Sequence, residues 1–94
     1  LRTRGRIDAN HEEIRSALRQ GGATVQSIAD IGCGCPDLLV GFRGKNILLE
    51  CKDGTQKPSR QRLTELESKW HATWRGQVIT VYCPEDAMRA VGML

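Results

Sequence analysis

The stretch "CPDLLVGFRGKNILLECK", residues 35–52, decides how this chain is read. It holds two oily runs, "PDLLV" and "KNILLECK", joined by "GFRG". Asp37 and Glu50 sit inside those runs, and Lys52 follows two residues after Glu50. Short apolar runs rich in Leu, Ile and Val and bounded by glycine read as strands. With Arg43-Gly44 as a two-residue turn they form a hairpin, glycine supplying the positive φ such a turn needs. Opposed residue numbers then sum to 87: Leu38 faces Leu49, Leu39 faces Leu48, Val40 faces Ile47, and Asp37 faces Glu50. Opposed residues share a sheet face. One face is therefore Leu38, Val40, Ile47, Leu49 and Cys51, and the other carries Leu39 and Leu48 at one end with Asp37, Glu50 and Lys52 at the other. Slipping the register by one residue would set Asp37 against Leu49 and mix the faces, an arrangement that burial selects against.

Carboxylates opposed across a hairpin come within about 5 Å at Cβ and repel. Protonating one, adding a cationic side chain, or binding a metal relieves the repulsion. Lys52 offers one positive charge on the same face. Two carboxylates with backbone carbonyls and waters also make a hard-oxygen site suited to Mg²⁺ or Mn²⁺. The plainer alternative makes Asp37 a strand-start cap and Glu50–Lys52 an ordinary ion pair.

Working outward, "NHEEIRSALRQGG" predicts a helix with Asn10 as N-cap, Glu13 three residues later, and Gly21-Gly22 as its stop. Ile14, Ala17 and Leu18 form its apolar stripe, with Glu13 at the stripe's edge and Glu12 pointing away. "ATVQSI" reads as a strand and "ADIGCGC" as a glycine-containing turn. "DGTQKPSRQR" reads as a polar loop, although Pro58-Ser59 offers an early helix start. "LTELESKWHATWRG" is a helix opened by a Thr64–Glu67 capping box, with Trp70 and Trp74 read as core. "QVITVY" is a strand, and Pro84 opens a last helix. The order αβββαβα gives a mixed sheet flanked by helices, in one domain spanning 1–94.

Ninety-four residues with a net charge of +3 lean towards an anionic partner. The basic clusters are "LRTRGR" and "KDGTQKPSRQR", in which Lys57, Arg60 and Arg62 are candidate phosphate contacts. An aromatic fraction of 4% excludes a broad base-stacking platform. No apolar run is long enough to span a membrane, and the N-terminal segment has no signal-peptide pattern. Cys33 and Cys35 are one residue apart, which does not fit zinc-knuckle spacing; buried free thiols, and so a reducing intracellular setting, are expected for the four cysteines. His11 is read as a surface residue and His71 as structural or solvated.

Pro36-Asp37 followed after a hairpin by Glu50-Cys51-Lys52 resembles the PD-(D/E)xK signature of a large nuclease superfamily. With the αβββαβ order and a first helix bearing Glu13, the chain looks most like the stand-alone VRR-NUC (virus-type replication-repair nuclease) group of phages and bacteria. The similarity covers residues 8–90, including "GCGCPDLLVG", "LLECKDG" and "LTELESKW". The resemblance implies a restriction-endonuclease-like core. It implies that Asp37, Glu50 and the Cys51 backbone carbonyl bind Mg²⁺ or Mn²⁺. Lys52 would orient or help deprotonate the attacking water, and Glu13 would complete the ion's outer shell or hold a second ion. It further implies a homodimer cutting branched DNA such as Holliday junctions. Relatives often carry Gln where Glu67 stands, and "VYCPED" replaces the string that names the group. The rival readings are a non-catalytic DNA-binding module on the same scaffold and a zinc-stabilised interaction domain using the cysteines.

Overall fold

A computed structural model describes residues 3–94, with side chains from Asn10 onward. The elements are α1 (Thr3–Gln20), β1 (Thr24–Ser27), β2 (Leu38–Phe42), β3 (Lys45–Cys51), α2 (Pro58–Gln61), α3 (Glu65–Thr73), β4 (Val78–Val81) and α4 (Pro84–Val91), with a 3-10 turn at Ala29–Ile31. The expected αβββαβα order holds, with α2 added as one helical turn inside the segment read as loop. The "LRTRGR" cluster lies outside the residues whose side chains are described.

The sheet runs β1-β2-β3-β4. β1–β2 and β2–β3 are antiparallel, and β3–β4 is parallel. A parallel neighbour needs a crossover, and here α2 and α3 supply it. The central register is the predicted one, Leu38↔Leu49, Leu39↔Leu48 and Val40↔Ile47. Its turn is Arg43-Gly44, with φ 51° and 80°. Positive φ at both central residues is the turn type whose twist matches a hairpin. The Arg43 guanidinium lies 4.8 Å from the centre of the Phe42 ring, covering it at the hairpin tip.

The predicted apolar face is the core. Leu38, Val40, Ile47, Leu49 and Cys51 are all buried, together with Val81 from β4, Ile14 and Leu18 from α1, and Ala87 and Val91 from α4. α1 and α4 thus cover one face of the sheet. α4 ends in a left-handed Gly92, with Gly92 N–H donating to Arg89 and Met93 N–H to Met88, which ties off its last carbonyls.

Two local readings are corrected. α1 begins before Asn10, which is no N-cap: its amide nitrogen donates to the Lys52 carbonyl at 3.0 Å. A tertiary hydrogen bond outcompetes the local cap signal. Trp70 and Trp74 are not core either. α3 has no buried residue among those described, and the two indoles stack on each other at 4.5 Å, with Trp74 46% exposed. Their four-residue spacing correctly puts them on one stripe, but the sheet does not cover that stripe.

Gly34 fixes how the segment before β2 meets α3. Its φ is +85°, and a Cβ there would run into the Leu66 carbonyl in the first turn of α3. Gly34→Ala therefore meets both backbone strain and a backbone clash. Urea denaturation is expected to show a loss of about 3 kcal/mol; an unchanged midpoint would mean the segment does not pack on α3.

Candidate active site

Asp37 stands at the entry to β2, where the ladder changes. Its carbonyl accepts from Ile28 N–H at 2.8 Å on the β1 side, while its own N–H donates to Leu49 O at 3.1 Å on the β3 side. Leu49 is the register partner of Leu38, so the pairing is offset by one residue at Asp37, as in a β-bulge. The direct Asp37–Glu50 opposition expected from the regular register is thus replaced by an offset one. The offset re-aims the side chain: Asp37 Oδ2 accepts the Cys51 N–H at 2.7 Å. In a strand the N–H and C=O of one residue point the same way, so the Cys51 carbonyl is also directed towards Asp37.

Glu50 is 2% exposed. Burial, the Asp37 charge and a side-chain hydrogen bond with Asp37 push its pKa up to about 9. The two carboxyls are therefore neighbours, and Glu50 holds its proton at neutral pH. Burial, then the same carboxylates, also raise the Cys35 thiol above its ordinary value. Glu50 is buried and Asp37 half-buried, and negative charge is in excess around them.

Lys52 lies on the Glu50 side of β3, its ammonium 2.8 Å from Glu67 Oε1. Glu67 also closes the Thr64 capping box, accepting from Thr64 N–H at 2.8 Å with the same oxygen. Burial alone would raise the Glu67 pKa, but the hydrogen bonds from Lys52 and Thr64 outweigh it and hold the carboxylate below its usual range. One helix cap thereby aims the lysine. A turn further along α3, His71 Nε2 is 3.3 Å from Glu50 Oε1. Burial keeps this imidazole below its ordinary pKa, so it is neutral at pH 7.

On the other side of the sheet, His11 from α1 is only 5% exposed and its Nε2 lies 3.9 Å from Asp37 Oδ2. His11 Nε2 or Nδ1, a carboxylate oxygen of Asp37 and Cys51 Sγ lie within 4.8 Å of one another and could hold a metal ion. His11 is thus buried at the site, not on the surface.

The structure brings Asp37, Glu50, Cys51 and Lys52 together. It does not bring Glu13 to them. Glu13 is exposed, and two residues on from His11 means about 200° around the helix. Of the described α1 residues it is His11 whose ring nitrogen faces Asp37. Lys57, Arg60 and Arg62 are exposed on and around α2. Pro58, Gln61, Arg62, Leu63, Ser68, Thr80 and Tyr82 line an adjoining cleft of about 590 Å³. Thr80 is the register partner of Glu50, so cleft and carboxylates share one sheet face.

The sequence reading gives His11 as a surface residue, His71 as structural or solvated and Glu67 as a helix cap, whereas the structure sets all three beside Asp37, Glu50 and Lys52. Two signals pointed to them. His71 is four residues after the capping glutamate, on the same helix stripe, and His11 is three before the core residue Ile14. The cysteines are free, as expected, but only Cys51 is buried; Cys33 is exposed and Cys35 and Cys83 are half-buried.

A solved structure described as "VRR_NUC domain" matches with a TM-score of 0.66 and 21% sequence identity, over 88% of this chain and 90% of that one. No family model matches the sequence, and no curated protein does. A four-stranded mixed sheet with helices on both faces, superposing along nearly its whole length, gives this chain the restriction-endonuclease-like fold of a VRR_NUC domain.

Proposed function

We propose that this chain is a Mg²⁺- or Mn²⁺-dependent endodeoxyribonuclease, an intracellular hydrolase that cuts branched DNA such as Holliday junctions as a homodimer. One observation carries the reading: Glu50 is 2% exposed, with the Asp37 carboxylate near enough to raise its pKa, beside Lys52, in a VRR_NUC-type fold. A protein gains nothing structural by burying an acid beside a second acid where an amide would serve at less cost. A cation resolves the conflict. The hard-oxygen donors Asp37, Glu50 and the Cys51 carbonyl fit Mg²⁺ or Mn²⁺.

An ion held there would neutralise charge on the phosphate and lower the pKa of a bound water. The chain's own residues do the rest. Lys52 supplies fixed positive potential where negative charge grows on the scissile phosphate and orients the attacking water. Glu67 holds that ammonium at 2.8 Å so that it need not be ordered during the reaction. His71 contacts Glu50 and fixes which way its carboxyl faces.

Arg62 at the cleft and the exposed Lys57 and Arg60 nearby would follow the DNA backbone. Replacing all three by alanine is expected to weaken junction binding by about tenfold to a hundredfold near 0.1 M salt. The slope of log affinity against log salt falls by up to about three. Fluorescence anisotropy across a salt series reads both, and an unchanged slope would remove these residues from the interface. Dimerisation would supply the second active site that a two-strand cut needs, and the exposed Leu39, Leu66 and Trp74 offer apolar surface for it.

The reading is tested by incubating the protein with duplex, single-stranded, flap and four-way-junction DNA, with and without Mn²⁺. Metal-dependent cleavage strongest on the junction is expected. Salt-sensitive binding without cleavage of any substrate would instead make the chain a non-catalytic DNA-binding module.

A further inference from the structure

The structure assigns a second ion site to His11, Asp37 and Cys51, one that takes a thiophilic divalent cation such as Zn²⁺, Co²⁺ or Cd²⁺ and in doing so withdraws Asp37 from the hard-ion site. Three elements contribute: α1 gives the imidazole, the entry to β2 the carboxylate, and the end of β3 the thiol. Their ligand atoms lie within 4.8 Å of one another. Zinc binds sulfur at about 2.3 Å and imidazole nitrogen or carboxylate oxygen at about 2.0–2.2 Å, so tetrahedral ligands stand roughly 3.3–3.8 Å apart. Closing the trio onto an ion therefore needs side-chain shifts of about 1 Å. One nitrogen, one oxygen and one sulfur form a borderline-soft set that selects against Mg²⁺.

Burial, then the Asp37 and Glu50 charges, raise the Cys51 thiol above its ordinary pKa, so the ion must displace a tightly held proton, and the site is open on one side. His11 is 5% and Cys51 6% exposed, whereas the Asp37 side chain reaches solvent at 17%, leaving a way in and a place for water as fourth ligand. When the ion binds, the Cys51 S–H bond breaks, its proton leaves to solvent, and the sulfur–metal bond forms. The thiol faces the core and the carbonyl of the same residue faces Asp37. Cys51 thus presents a soft donor to one site and a hard donor to the other. Asp37 is the shared ligand, so the two occupancies compete. The inhibitory consequence rests on the nuclease reading, whereas the binding does not.

The test is a Co²⁺ titration of the chelator-treated full chain. We expect one equivalent to bind with a near-ultraviolet thiolate-to-cobalt charge-transfer band and visible bands of tetrahedral intensity. The triple variant Cys33→Ser/Cys35→Ser/Cys83→Ser retains Cys51 alone of the four thiols, and the band must survive in it. Cys51→Ser must lose the band with its circular dichroism spectrum unchanged; should that variant not fold, the triple variant still decides. His11→Gln is expected to weaken Co²⁺ at least tenfold. Glu50→Gln, which removes a hard ligand only, keeps the band. Absence of the band in the wild type, its loss in the triple variant, or its persistence in folded Cys51→Ser overturns the site. In a separate arm, one equivalent of Zn²⁺ is expected to suppress Mg²⁺-supported junction cleavage. Absence of cleavage under all conditions would sink the nuclease reading and leave the cobalt result to judge the ion site.

Discussion

Lys52→Ala and Asp37→Ala are each expected to lower metal-dependent cleavage by about a thousandfold while junction binding changes by less than about threefold. The two losses have different causes. Asp37 Oδ2 accepts the Cys51 N–H at 2.7 Å and its charge acts on Glu50, so its removal strips a ligand and unpins the end of β3. Asp37→Ala therefore loses both cleavage and affinity for Mn²⁺. Among the described residues the Lys52 ammonium touches Glu67 and no backbone group, so Lys52→Ala should retain Mn²⁺ affinity and lose the chemical step alone. Calorimetric Mn²⁺ titration beside single-turnover cleavage separates the two. The Glu67 capping box supplies a control. Glu67→Gln keeps an acceptor for Thr64 and Lys52 but removes the negative charge, and is expected to retain more activity than Lys52→Ala. Wild-type rates in Lys52→Ala would take the lysine out of the reaction altogether.

The parts of this arrangement legible in the sequence are those set by local period and turn chemistry. Gly44 pins the hairpin, and alternation then forces Leu38, Val40, Ile47, Leu49 and Cys51 to one face. The Thr64–Glu67 cap needs only residues three apart. What stayed hidden depends on how helices dock. That Glu67 reaches Lys52, His71 reaches Glu50 and His11 reaches Asp37 follows from the angle and height of α3 and α1 over the sheet, which no spacing encodes. Glu13 comes from the family resemblance, whereas burial adds His11. Asn10 misled for a similar reason: its side chain serves Lys52 O across 42 residues of sequence instead of its own helix start. The offset at Asp37 was invisible too, because a bulge is one residue's departure from a pattern that the neighbouring residues obey.

Glu50→Gln is expected to stabilise the metal-free protein at alkaline pH and to abolish metal-dependent cleavage. The sign follows from the carboxyl's raised pKa. A group whose folded-state pKa lies above its unfolded value stabilises fully below the unfolded value, and that contribution is lost as pH rises towards the folded one. For Glu50 the window runs from 4.5 to about 9, because burial and Asp37 oppose its ionisation. Across it the metal-free protein gives up ~1.4 kcal/mol per pH unit in the limit of no relaxation. Water entering beside the partly exposed Asp37 reduces this, and about 2 kcal/mol, or roughly 10 °C in melting temperature, is expected between Glu50→Gln and wild type at pH 8. At pH 4.5 the two should melt within a few degrees of each other. Metal linkage has the opposite slope. Mn²⁺ must displace the proton that Glu50 holds, so wild-type affinity should rise about tenfold per pH unit between pH 6 and 8 and a proton should be released on binding. Glu50→Gln should show neither effect. The pairing of gained stability with lost activity distinguishes an acid kept for an ion from one kept for packing: if Glu50→Gln were destabilising at pH 8, the carboxylate would be serving the fold, and the case for a cation between Asp37 and Glu50 would fail with it.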